Sequence, residues 1–159
     1  MRPMRAMLPI LLLLPNLVLS QSPVGRADFV VAGVSSQTDS AAVRRLLGRP
    51  DSVTSGDHPF DVGGKLINWW YHRLRVSYNG GEKVGGMWLL APGVETTRGL
   101  RVGDQRQRVR RLYGTPASVD TASDAWIYHD ADDGSEMHLV KVFFQRDRVA
   151  SVFLGWVLD

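Results

Sequence analysis

Val43, Leu46 and Leu47 stand at i, i+3 and i+4, with Arg44 and Arg45 between them. That spacing puts one apolar stripe on a short helix and turns the arginines away from it. Thr38 or Asp39 can cap the helix start, by accepting from backbone N–H groups that have no partner there. Gly48 suits a helix stop and Pro50 prevents resumption. The same steps recur later: Asp104 as cap, Val109, Leu112 and Tyr113 as stripe, Gly114 as stop, Pro116 as breaker. The arginines near each helix end also complement the negative end of its dipole.

After each helix the period changes from helical to alternating. Leu74, Val76 and Tyr78 alternate with Arg73, Arg75, Ser77 and Asn79, which predicts a half-buried strand with one wet face. Strands are expected over 66–72, 74–79 and 83–90 in the first half. In the second half they fall at 125–130, 137–144 and 148–156. Asn79-Gly80-Gly81-Glu82 and Gln145-Arg146-Asp147 are the connecting turns.

The two halves are copies. Residues 43–53 and 109–119 agree at eight of eleven positions, at an offset of 66. Trp69-x-Tyr71-His72 returns as Trp126-x-Tyr128-His129 at an offset of 57, so the first copy holds nine extra residues, placed within the segment 55–64. One helix and three strands cannot cover both faces of their own sheet, and two such units packed together can. The expectation is therefore an α+β fold of two tandem helix–strand–strand–strand units, with antiparallel sheet and helices on one face. The layout is a signal peptide at 1–20 and a flexible lead-in at 21–37. A first repeat at 38–90, a linker at 91–99 and a second repeat at 100–159 follow.

Gly103-Asp104-x-x-x-x-Val109-x-x-Leu112-Tyr113-Gly114-x-Pro116, then Trp126-x-Tyr128, then Phe144-x-x-Asp147-x-Val149 resembles the SmpA/OmlA (BamE-like) unit. The tandem arrangement resembles the β-lactamase-inhibitory-protein superfamily, and both halves of the chain fit. The resemblance implies helix–loop–strand units, export and a protein-binding role. Two departures stand out. The chain has no cysteine, so it has neither the lipid-accepting cysteine of BamE-like lipoproteins nor the disulfides of the tandem inhibitors.

Arg2 and Arg5 followed by a short apolar run from Leu8 to Leu19 read as an export signal, with cleavage expected before Gln21. The run is too short for a membrane span, which needs roughly 20 apolar residues. Export would place the mature protein in a periplasm or outside the cell, soluble and without a disulfide. Removing the two signal arginines leaves 17 basic against 16 acidic residues. A nearly neutral chain argues against nucleic-acid binding, which needs a basic footprint. Arg98 to Arg111 and Asp120 to Glu136 form opposite charge runs, read as solvated faces that pair with each other. Arg106 and Arg108 could also touch an anionic membrane surface without anchoring the chain.

Trp69/Tyr71 and Trp126/Tyr128 are read as core. The other strand face then presents Trp70, His72, Phe143 and Trp156 as candidate protein-binding residues, because large rigid rings with a polar tip make good anchors. The alternative is that all of them are buried between the two units. His58 and Phe60 join the candidates because their segment exists only in the first copy. The stretch from His129 to His138 is rich in carboxylates, but Gly134 is the fifth residue from Asp130 and no glutamate follows at twelve, unlike a calcium loop. It is read as an Asp-Gly turn, with no metal and no cofactor expected. No nucleophile elbow, zinc motif or phosphate loop is present, so no catalytic residue is assigned. Three functions are weighed: a binding or assembly module for an envelope or secreted protein, a secreted enzyme inhibitor, and a small hydrolase or metal-binding protein.

Overall fold

The computed structural model describes residues 22–58 and 64–157. Two helices, α1 (Ser40–Leu47) and α2 (Arg106–Tyr113), lie on one face of a single antiparallel sheet. A small hairpin, β1 (Val30–Val31) and β2 (Val34–Ser35), precedes α1. The sheet has eight strands: β3 (Ser52–Asp57), β4 (Lys65–Trp70), β5 (Leu74–Asn79), β6 (Gly86–Leu89), β7 (Ser118–Asp120), β8 (Ala125–His129), β9 (His138–Gln145) and β10 (Arg148–Trp156). Their order is β3-β4-β5-β6-β10-β9-β8-β7. Each half is thus a helix followed by a four-strand meander. The halves join edge to edge through β6 and β10.

The fold is the α+β arrangement that the periodicity implies, with a fourth strand per unit. The extra strands, β3 and β7, begin directly after the helix stop. Neither alternates apolar and polar residues, because each is a sheet edge that pairs on one side only. All six residues of β3 are exposed. β3 also takes up part of the segment 55–64, with Ser55, Gly56 and Asp57 paired to Ile67, Leu66 and Lys65 of β4.

Local chemistry explains both helices. Asp39 caps α1, its carboxylate accepting from the Ala42 N–H at 2.7 Å. Gly48 and Gly114 close their helices at φ +81° and +80°. Side chains with a Cβ rarely take that conformation. The second cap differs from the expectation. Gln105 occupies the cap position without a side-chain bond. Asp104 instead accepts from the Arg101 N–H and pairs with Arg108. The tight turn between β9 and β10 uses Arg146 and Asp147 at φ +51° and +63°, the two positive angles that a type I′ hairpin demands.

The core lies between helices and sheet, and it repeats. Val43 and Val109, Val76 and Val142, and Val34 and Leu100 are each 66 residues apart, and all six are fully buried. The stretch 21–37, expected as a flexible lead-in, is packed from Val24 onward: Val24, Phe29, Val31 and Val34 are core residues. Arg98 holds this stretch by donating to both oxygens of Asp28 at 2.7 Å. The acidic hairpin grips it from the other side, with Ala131 N–H donating to Val24 O and Arg26 N–H donating to Asp132. Asp130, expected in solvent, is buried against His138 at 2.6 Å. His138 is stacked between Phe29 and Trp156. Between the two charge runs, Arg106 pairs with Asp124, while Arg98, Arg101 and Arg108 pair with Asp28, Glu95 and Asp104 and Asp120 pairs with Lys141.

Candidate binding groove on the open face of the sheet

In an antiparallel sheet, directly opposed residues share a face. Following the pairings across all eight strands gives one continuous row on the face away from the helices. It reads Ser52, Trp70, Arg75, Trp88, Phe153, Lys141, Ile127, Ser118. The row is a pseudo-palindrome about the Trp88–Phe153 pair. Serine stands at both ends, a bulky apolar residue next (Trp70 and Ile127), a cation third (Arg75 and Lys141), and an aromatic ring at the centre. The pseudo-two-fold axis of the duplication therefore passes through this row.

The centre is aromatic. Trp88 stands 5.0 Å from Phe153 and 5.5 Å from Phe143, ring centre to ring centre. Each such pair contributes about 0.5–1.5 kcal/mol beyond burial. The Arg75 guanidinium lies between two tryptophans, 5.0 Å from the Trp70 ring and 4.5 Å from Trp88. Partial burial lowers its pKa from the ordinary arginine value. Its Nε is buried without a hydrogen-bond partner, and Arg75 makes no ion pair among the described residues. Trp70 is fixed from its far side, its Nε1–H donating to Thr54 Oγ1 at 2.9 Å.

Beside the row lies a groove of about 340 Å³. Its floor is Ser77 and Gly86, and Trp88, Phe143, Phe153 and Trp156 line it. Gly86 faces Gly155 across the β6–β10 joint. A Cβ on Gly86 would meet the Phe153 ring at 2.7 Å, so the glycine makes the floor. The volume is at the low end of ligand sites, roughly 300–1,000 Å³, and suits a side chain or two of a partner segment.

The six residues expected to bind protein separate. Trp70 and Phe143 come together on this face, both half-buried, whereas exposed Trp156 pairs with His138 in the helix-side register and meets the groove only at its end. Trp156 leans at the rim, stacked on His138. His72 is exposed in the turn after β4 and lines a different hollow with Tyr71 and Leu47, so it is not part of the groove. His58 lies at the end of β3, its N–H donating to Gly64 O, away from the row. Phe60 lies outside the described residues. The sequence reading missed Trp88, Phe153, Arg75 and Lys141. The alternation in β5 had placed Arg75 on the correct face. What it could not show was that β6 and β10 line that face with rings.

No family model and no curated protein matches the chain. It aligns with the crystal structure of an extracellular protein containing an SCP domain from Bacillus anthracis str. Ames, at a TM-score of 0.51 and 10% identity. The alignment covers 89% of this chain and 48% of that one, so the chain spans about half of the structure it matches. The likeness establishes the fold alone. It also corrects the SmpA/OmlA (BamE-like) and β-lactamase-inhibitory-protein resemblance, which no comparison upholds. The helix–Gly–x–Pro element that carried it has a general physical origin: a short amphipathic helix that must stop and turn into a sheet edge.

Proposed function

We propose that the chain is an exported, non-enzymatic protein-binding module that takes a segment of another envelope or secreted protein into the aromatic groove. One observation carries the reading. The central strands bury their helix-side face, yet the sheet also concentrates Trp70, Trp88, Phe143 and Phe153 on the face that neither α1 nor α2 covers. Aromatic rings around a cation, beside a hollow with small residues at its floor, are the composition of a binding hot spot. The charged N-region and short apolar run at 1–20 support export, and the aligned structure is that of an extracellular protein.

The test is a photo-crosslinking residue placed at Phe143 in the full chain, expressed in its own cells. A control residue goes at Val119, which is 53% exposed on β7. The reading expects a discrete protein adduct from position 143 that position 119 does not give. Identical adducts from both positions, or none at 143, would refute it.

A further inference from the structure

The duplication shows what the groove lacks. Lys141 and Arg75 occupy the same place in the two halves, 66 residues apart. Lys141 has an internal counter-ion, Asp120, at 2.8 Å from its Nζ. The residue equivalent to Asp120 in the first half is Thr54, again 66 earlier, and it is occupied by the Trp70 indole. Next along the same diagonal, Phe143 of the second half corresponds to Ser77 of the first. So the second half fills its side of the face with a ring and a carboxylate, and Lys141 lies 5.1 Å from that ring. The first half has a hollow at the ring position and a guanidinium with no carboxylate partner among the described residues.

Resting on the protein-binding reading, we infer that the occupant is a partner polypeptide segment carrying an aromatic side chain close to an aspartate or glutamate. The ring sits over Ser77 and Gly86, against Trp88. The carboxylate pairs with Arg75. A guanidinium already desolvated by two indoles favours a carboxylate strongly, because charge-assisted bonds are stronger where water is scarce. The occupant thereby supplies to the first half the two groups that Phe143 and Asp120 supply to the second.

The test uses the full mature chain and two end-blocked peptides, Ala-Phe-Asp-Ala and Ala-Phe-Asn-Ala, titrated while the indole N–H signals of Trp70 and Trp88 are followed by NMR. The Asp peptide should shift both signals saturably and bind at least ten-fold tighter than the Asn peptide. Arg75→Met should erase that preference. Thr54→Asp, which gives Arg75 an internal carboxylate and leaves the hollow intact, should weaken the Asp peptide at least ten-fold. Equal binding of the two peptides, or an unchanged preference in both variants, overturns the inference. So does tighter binding of a peptide whose only carboxylate is a free C-terminus. A crosslink at position 143 without any carboxylate preference sinks this inference and spares the binding reading. A carboxylate preference without a crosslink sinks the binding reading and with it the partner polypeptide as occupant.

Discussion

Arg75 and Lys141 are equivalent cations on one row of one sheet, and of the two only Lys141 has a carboxylate partner among the described residues. The difference traces to one substitution between the copies, Thr54 where the second half has Asp120. The two halves share a backbone plan and differ in what they leave for a partner to complete.

The Asp120 pairing sets an acid-side signature. Its hydrogen bond from Lys141, then those from Ser123, hold the Asp120 carboxyl well below the usual carboxylate range. A folded pKa below the unfolded value stabilises above about pH 4 and is lost as pH falls toward the depressed value. Wild type should therefore exceed Asp120→Asn in Tm by a constant gap from pH 7 to about pH 5. That gap should narrow progressively as pH falls from about 4 toward 2. Thermal unfolding followed across this range checks it, and a gap that stays constant to pH 2 contradicts it.

The helix stop is conformational. A Cβ on Gly48 meets nothing within 4 Å, so the cost of Gly48→Ala is that of φ +81° alone. Urea unfolding should show a loss of about 1–3 kcal/mol. Gly114→Ala, at φ +80°, should lose a similar amount. No loss in either variant would show that the chain relaxes at the stop.

The joint between the halves is less forgiving on one side than on the other. A Cβ on Gly155 would stand 2.5 Å from the Gly85 carbonyl oxygen, at φ +143°. On Gly86 the first obstacle is a ring edge, which can turn. Gly155→Ala should cost about 3 kcal/mol or more, and Gly86→Ala about 1–3 kcal/mol. Equal costs measured by denaturant unfolding would contradict the close approach of β6 and β10.

Much of this fold is legible in local pattern. The stripes of Val43 and Val109 and the stops at Gly48 and Gly114 each rest on interactions within a few residues. So does the alternation around Val76. The edge strands β3 and β7 escape because they bury little on either face and carry no apolar period. Val24 to Val34 escapes because its partners, Arg98 and the hairpin at 130–136, are distant in sequence. The groove escapes for a stronger reason. Its row joins positions 52, 70, 75, 88, 153, 141, 127 and 118, and only the register of seven strand pairings brings them into line. Trp70 and Phe143 were legible as odd positions between the copies. Arg75 was legible only as one polar residue in an alternating strand.

A double-mutant cycle tests most directly the claim that Arg75 is a cation left without the carboxylate that Lys141 has among the described residues. Thr54→Asp is introduced into wild type and into Arg75→Met, and all four proteins are unfolded in urea at low salt. In wild type the aspartate should stabilise by about 0.5–1 kcal/mol, the range of a partly exposed ion pair, and in Arg75→Met the gain should vanish. An aspartate that is neutral or destabilising to the same degree in both backgrounds would contradict the account.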